Sequence, residues 1–223
     1  MDEAKELLRA CEVFLTHKEN KAEPQGRWLR TDELKEALTY LKELPYFIDK
    51  AYVEHHYWKW VIISIHSLLH CLMISALKGS NGLLTYKDNV ATAWLDSYNK
   101  KTKYRLPKNP IDNFLSLYNK IKSERSKFYI TSNAFVATND QDKSIMRLNS
   151  FRNDFIHFSP HSWSIEISGM PRICLDCLDV AIFLSWQSGN ILWRDEETMN
   201  SAKLFFDKIA SMLNVIKAEF ELI

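Results

Sequence analysis

The sequence predicts an all-α fold, and three observations support this prediction. Its 223 residues include only five glycines and six prolines, the residues that most often interrupt helices. Hydrophobic residues make up 46% of the chain, which is enough to build a substantial core. Apolar residues also recur at the three- and four-residue spacing of amphipathic helices. We therefore predict a single helical domain over residues 1–223, with at most a short strand pair.

Two helices are predicted in the N-terminal part of the chain. The first spans residues 2–19. Thr31 or Asp32 provides an N-cap for the second. Pro45 is expected to separate this helix from the next, because a proline inside a helix removes a hydrogen bond and clashes with the preceding turn. The apolar face of the second helix is expected to contain Leu34, Leu38 and Leu41.

A long segment follows, from about Phe47 to Lys78, and two glycines end it. Its second half, residues 61–77, is apolar almost all round the helix, so we predict the buried central helix of a bundle. The same stretch is the nearest approach to a membrane span. It lies at the short limit for spanning, however, and His66 and His70 would face lipid in a lone span. We therefore expect no membrane association.

Helical periodicity returns after Pro110, with a face formed by Ile111, Phe114, Leu115, Tyr118 and Ile121. Residues 127–138 are rich in β-branched and aromatic side chains, which favours extended chain, and the TNDQD that follows supplies a cap for the next helix. WSIEI, residues 163–167, alternates like a short strand. Two helices, roughly 172–193 and 196–221, close the chain. The last one is expected to bury Leu204, Phe205, Ile209, Met212, Leu213 and Ile216.

The charge of the chain gives no global argument for a nucleic-acid partner. Lysines and arginines number 29 against 28 acidic residues, a formal net charge of +1. An RNA-binding surface would therefore have to be local, and the best candidate is Lys101, Lys103 and Arg105, flanked by further lysines and by Tyr98 and Tyr104. The alternative interpretation is a solvated loop before Pro110.

Cysteine usage favours a reducing, cytoplasmic location. Cys174 and Cys177 form a C-x-x-C pair, but a zinc site needs about four ligands and no second pair accompanies them. We interpret the cysteines as packing residues. The N-terminal MDEAKELLRACEVFL is acidic and amphipathic, unlike a signal peptide. We expect a cytoplasmic protein with no metal and no cofactor.

The stretch LNSFRNDFIHFSP, residues 148–160, carries the candidate chemistry. On a helix Asn149, Asn153 and His157 are four residues apart and form one column, with Arg152 on its flank. Arg152 and His157 are about 140° apart in an ideal helix. They can act on one ligand only if the helix end loosens, which Pro160 favours, or if a second subunit contributes.

These residue types suit RNA cleavage without a metal. Arginine offers a permanent fork of donors for a phosphate, histidine transfers protons near neutral pH, and asparagine orients either partner. In such a reaction the neighbouring 2′-hydroxyl is the nucleophile. His157 would transfer the proton, and Arg152 would stabilise the pentacoordinate transition state.

The hexapeptide RNDFIH, Arg152 to His157, resembles the R-x4-6-H signature of the HEPN superfamily, including the polar Asn153 that follows the arginine. The long apolar helix before the motif is also similar to that family. The resemblance covers about residues 45–193 and leaves 1–44 and 194–223 as helical extensions. It implies a helical bundle that dimerises to form one composite ribonuclease site, with a role in toxin–antitoxin systems, where an antitoxin protein is the partner, or in antiviral defence.

Further residues near the motif, and a second type of function, are compatible with the sequence. His161 and Trp163 follow the motif closely, and Trp163 could stack on an RNA base or close the bundle. His66 and His70 could present two imidazoles to a metal, but core histidines satisfied by backbone or water are the favoured interpretation. The second hypothesis is a non-catalytic HEPN-like module for dimerisation or ligand binding, which the near-zero net charge favours.

Overall fold

The computed structural model describes residues 28–157, 162 and 164–222. Within this part of the chain the regular structure is helical, apart from an isolated antiparallel bridge between Tyr86 and Ile111. The all-α prediction is therefore confirmed for the described residues, whereas the helix predicted over residues 2–19 lies outside them. The α-helices are α1 Glu33–Val53, α2 Trp58–Lys78, α3 Asp88–Asn99, α4 Phe114–Ile121, α5 Asn139–Ile156, α6 Met170–Ile182 and α7 Glu196–Phe220.

Helix α1 begins as predicted, because the Asp32 carboxylate caps it by accepting a 2.9 Å hydrogen bond from the Lys35 backbone N–H. The prediction that Pro45 ends this helix is wrong. Pro45 lies inside α1 and is buried. Leu41 and Ile48 lie on either side of it and are at most 1% exposed. Burying this continuous apolar stripe against α2 outweighs the roughly 3 kcal/mol that a proline costs in a helix interior.

The long segment predicted from about Phe47 to Lys78 is divided in two. The chain becomes extended at Glu54, with φ −127° and ψ 103°, and passes through a 3-10 turn at His55–Tyr57 before α2 begins. Helix α2 is the buried central helix that the sequence predicts, and it packs against α1, α4, α5 and α6. It ends at Gly79, whose φ of +47° lies in the region that favours glycine.

The segment His55–Lys78 is long and apolar enough to cross a membrane, judged by length and composition alone. An 18-residue stretch of this segment has a mean hydropathy of 1.9. In this structure 61% of that stretch is buried inside the protein. The central helix of a soluble bundle has the same properties.

The caps of α4 and α5 follow the sequence. Asn113 caps α4 by accepting a 3.0 Å hydrogen bond from the Ser116 backbone N–H. Thr138 and Gln141 form a capping box at the start of α5, so the predicted cap is confirmed. Residues 127–138 form neither helix nor strand.

The short strand predicted for WSIEI is wrong over its described residues, 164–167, which are irregular. A strand needs an edge to pair with, and no named strand exists in the described part of the fold. Ile165 and Ile167 instead pack against the helical core as partly buried side chains.

The C-terminal helices differ from the sequence prediction in several details, and Phe205 and Met212, which were expected to be buried, are only half-buried. Helix α6 continues as a π-helical turn, Phe183–Gln187, and does not reach residue 193. In α7, Leu204 was predicted to be buried but is 50% exposed, because it lies outside the four- and three-residue spacing of the inward stripe. That stripe consists of Ala202, Phe206, Ile209, Leu213 and Ile216.

One hydrophobic core runs through the described chain, from Leu34 in α1 to Ile216 in α7. Helix α1 continues across residue 45, and α7 packs on α1 and α6. Cys174 and Cys177 are free and fully buried within α6, in line with their interpretation as packing residues. This core holds α5 against α2 and α4, the three helices that form the candidate site.

Candidate active site

A cleft of about 360 Å³ lies between α2, α5 and the start of α4. Helix α2 contributes the two histidines, and α5 contributes three residues of the motif stretch. The third wall is the chain that enters α4. The lining side chains include His66, His70, Asn149, Arg152, Asn153 and Asp112.

His66 joins the two long walls of the cleft. Its Nε2 atom lies 3.2 Å from Oδ1 of Asn149. Its ring stacks on Phe114 with a centroid distance of 3.9 Å, and only 5% of the residue is exposed. Burial lowers the pKa of His66 to about 4. The charge of Arg152 also lowers this pKa, whereas the hydrogen bond to the Asn149 amide oxygen raises it. The imidazole is therefore neutral at pH 7 and donates from Nε2 to the amide oxygen.

His70 lies one helical turn after His66 on the same wall. Burial, and then the charge of Arg152, lower its pKa. Its ring lies edge-on to Phe114 at 6.3 Å. The Nε2 atom of His70 is buried and has no hydrogen-bond partner among the described residues. Among the buried side-chain atoms of the cleft that the structure describes, this nitrogen is left without a hydrogen bond.

Arg152 provides the positive charge of the cleft. It is half-buried, and its Nη1 donates a 3.0 Å hydrogen bond to Oδ1 of Asn153. Among the described residues it forms no ion pair with a carboxylate. A guanidinium has five N–H donors, so most of its bonding capacity remains for an anionic ligand such as a phosphate.

Asp112 is the carboxylate in the cleft, and Lys120 compensates its charge at 2.8 Å. Burial raises the pKa of Asp112, but the hydrogen bonds from Lys120 and from the Asn113 backbone N–H outweigh this effect and lower it overall. Lys120 also donates to the Tyr86 carbonyl oxygen at 2.5 Å, which holds its ammonium group in place. The cleft consequently keeps the positive charge of Arg152, next to the N-terminal end of α4.

The structure brings Asn149, Arg152 and Asn153 together in the cleft but leaves His157 outside it. His157 is the exposed C-cap of α5, with φ −104° and ψ 67°, and its backbone N–H donates to the Asn153 carbonyl oxygen at 2.8 Å. The helix therefore ends before His157, yet this side chain does not line the Arg152 cleft of its own protomer.

The proposed RNA-binding residues Lys101, Lys103 and Arg105 lie in the exposed loop after α3. This loop continues through Pro110 into Asp112, on the third wall of the cleft. Asp112 follows Arg105 by seven positions in the chain, a span of at most about 25 Å of extended chain. His161 and Trp163 lie outside the described residues.

Like Asp112, the cleft residues His66 and His70 are not assigned to this site by the sequence. Their four-residue spacing placed them on one face of the buried helix, which is where the structure has them. The sequence held no signal that this face meets the polar column of a helix about eighty residues later. The described residues include no group of three or more histidine, cysteine, aspartate or glutamate side chains that could hold a metal ion.

A second, larger cavity of about 620 Å³ lies beside another face of α5. Its lining includes His55, His56, Trp58 and Phe155. His55 and His56 are exposed and do not line the Arg152 cleft. They therefore provide histidine controls for experiments on the cleft.

Comparison with known proteins found no match. No protein-family model, no curated protein and no solved structure proved similar to this chain. The resemblance to the HEPN superfamily therefore depends on the motif residues and their helical context.

Proposed function

We propose that this protein is a metal-independent endoribonuclease of the HEPN type. The observation that supports the proposal is the state of Arg152, a half-buried cation in a polar cleft with no carboxylate partner among the described residues. A cation in this situation attracts an anion of matching geometry, and a phosphodiester fits a guanidinium in two-point contact.

In the proposed reaction the ribose 2′-oxygen attacks the adjacent phosphorus. The bond from phosphorus to the 5′-oxygen breaks, and the products are a 2′,3′-cyclic phosphate and a 5′-hydroxyl. Arg152 stabilises the charge that develops on the phosphate oxygens, and His157 takes part in proton transfer. Asn153 orients Arg152 through the 3.0 Å hydrogen bond between them.

The position of His157 requires a homodimer in this proposal. Because His157 does not line the Arg152 cleft of its own chain, the histidine reaches the reaction from the second protomer across a two-fold axis near the end of α5. The exposed basic loop at Lys101, Lys103 and Arg105 supplies phosphate contacts outside the cleft. The proposed role in toxin–antitoxin systems or antiviral defence rests on the family resemblance alone, and the cytoplasmic location rests on the cysteine usage and the N-terminal sequence.

The proposal is tested by RNA cleavage in the presence of a chelator. We expect cleavage to continue in EDTA and to leave 2′,3′-cyclic phosphate ends. Arg152→Ala should lower the rate by about a hundredfold or more. Arg147→Ala is the matched control, since Arg147 is an exposed arginine of the same helix whose guanidinium lies 4.8 Å from the Phe151 ring. Loss of cleavage in EDTA would contradict the proposal.

A non-catalytic module is the second candidate, and the exposed position of His157 favours it. In that case the Arg152 cleft binds an anionic ligand without chemistry, or α5 serves dimerisation. Wild-type protein that binds RNA or a nucleotide through Arg152, and that cleaves no RNA under any metal condition, would support this function.

A further inference from the structure

His70 and Arg152 lie on opposite walls of the same cleft, and the charge of Arg152 acts on the His70 ring. The two histidines of α2 differ in their bonding. His66 uses Nε2 to bind Asn149, whereas Nε2 of His70 has no partner among the described residues. The cleft thus holds one histidine with a structural bond and one whose Nε2 is unpaired.

We propose that His70 is the general base of the reaction. This inference rests on the proposed ribonuclease function and adds a catalytic residue outside the Arg152–His157 motif. The Nε2 atom of His70 accepts the proton from the ribose 2′-hydroxyl as the 2′-oxygen forms its bond to phosphorus. The 5′-oxygen leaves as its bond to phosphorus breaks, and it takes a proton from protonated His157 of the second protomer.

The neighbours of His70 favour this role over the other candidates in the cleft. Proton uptake at Nε2 of His66 would first require loss of the bond to Asn149. Asp112 is ionised, but its carboxylate is bound by Lys120 at 2.8 Å and by the Asn113 backbone N–H at 2.9 Å. Within the described part of the chain, His70 has no such competing bond at Nε2.

The charged groups around His70 hold it in the form that a base needs. Arg152 faces it from α5, Asp112 lies in the wall before α4 with its charge compensated by Lys120, and His66 is neutral. Burial and Arg152 lower the pKa of His70, so its imidazole is unprotonated at pH 7. In the free protein Nε2 of His70 is buried. In the proposed mechanism the ring therefore rotates toward the substrate when the substrate enters the cleft. Catalytic contacts commonly align only in the substrate complex.

Two substrates separate a general base from a general acid. The first is a dinucleotide with an ordinary 5′-linked nucleoside as leaving group. The second is uridine 3′-(4-nitrophenyl phosphate), whose nitrophenolate leaves without a proton but whose 2′-hydroxyl must still be deprotonated. We expect His70→Ala to lower cleavage of both substrates by about a hundredfold. His157→Ala should lower cleavage of the dinucleotide and leave the nitrophenyl ester cleaved at nearly the original rate.

Two further measurements exclude a merely structural effect of the His70 substitution. Imidazole added to His70→Ala should restore part of the activity, since a small base can occupy the vacated space, and it should not restore a misfolded protein. His70→Gln keeps side-chain volume and should remain folded by circular dichroism while staying inactive. His55→Ala, which removes an exposed histidine outside the cleft, should cleave both substrates like the wild type.

The outcomes distinguish this inference from the proposed function. Wild-type cleavage that depends on Arg152 but is unchanged in His70→Gln would overturn the role of His70 and leave the ribonuclease proposal in place. A His70→Ala variant that recovers on the nitrophenyl ester would make His70 the acid and would also overturn the inference. Wild-type protein that cleaves neither substrate would remove both proposals.

Discussion

The Nε2 atom of His66 lies 3.2 Å from Oδ1 of Asn149, and this hydrogen bond joins the central helix α2 to the motif helix α5. It crosses 83 positions of sequence between two helices. Removing the acceptor would leave a buried imidazole N–H unpaired, which costs about 1–3 kcal/mol. The contact therefore fixes the position of α5 and of Arg152, which lies one turn further along that helix.

We expect Asn149→Ala to lower the free energy of unfolding by about 1–3 kcal/mol, because Nε2 of His66 loses its acceptor. Urea denaturation measures the change. Asn153→Ala is the control, since Asn153 is exposed and bonds only to its neighbour Arg152 among the described side chains. Equal losses in the two variants would show that the His66–Asn149 bond contributes nothing specific.

The stability of the protein should fall as the pH drops from 6.5 to about 4, owing to His66. In the unfolded chain this histidine takes up a proton near pH 6.5, whereas in the folded protein it stays neutral until about pH 4. Proton binding therefore favours the unfolded state between pH 6.5 and about pH 4. The contribution of neutral His66 to stability is fully present above this pH range. Below the range, His66 causes no further loss of stability. The loss is on the order of 3 kcal/mol. Denaturation curves of the wild type and of His66→Gln at several pH values measure it, and parallel pH dependence in the two proteins would contradict the assignment.

Replacing Arg152 or His157 with alanine should lower RNA cleavage by about a hundredfold or more while the fold persists. His157 is exposed and Arg152 is half-buried, so neither side chain belongs to the apolar stripe of α5. Cleavage rates and thermal denaturation of the same samples provide the measurement. RNA with a 2′-deoxy residue at the cut should resist cleavage, because the nucleophile is missing. An unfolded His157→Ala variant would mean that this histidine is structural.

Mixing the two inactive variants should restore activity if the site is shared between protomers. A heterodimer of Arg152→Ala and His157→Ala chains contains one cleft in which an intact Arg152 faces an intact His157 from the other chain. Sedimentation at micromolar concentration should also show a dimer. Failure of the mixture to recover, despite subunit exchange shown by differently labelled chains, would place both residues of the site in one protomer.

Neutralising the basic loop should weaken RNA binding and reduce its dependence on salt. The variant carries alanine at Lys101, Lys103 and Arg105, all of them exposed. Loss of three phosphate contacts should lower the slope of log affinity against log salt by about 2 for single-stranded RNA. Lys203→Ala and Lys208→Ala, which remove exposed lysines of α7, serve as controls. An unchanged slope would mean that the loop is a solvated surface segment.

Local features of the fold were predictable from the sequence because their causes are local. Asp32 caps α1, and the Thr138–Gln141 capping box starts α5, since such hydrogen bonds join residues three positions apart. The burial of α2 also followed from its composition, which offers no polar face wide enough for solvent. The polar column that contains Asn149 and Asn153 follows from the helical repeat alone.

Tertiary contacts decided the remaining features. Pro45 lies inside α1 because the stripe around it packs on α2, and this burial outweighs the local preference of proline. Helices α1 and α6 pack against one face of α7. Phe206 lies on that face and is buried, whereas Leu204 lies on another face and is exposed. The pairing of His66 with Asn149, and the meeting of His70 with Arg152, arise only when α2 and α5 pack together. The sequence by itself determined which residues could carry the chemistry. The packing of distant helices decided which of these residues share a cleft, because no local rule specifies contacts between residues so far apart in the chain.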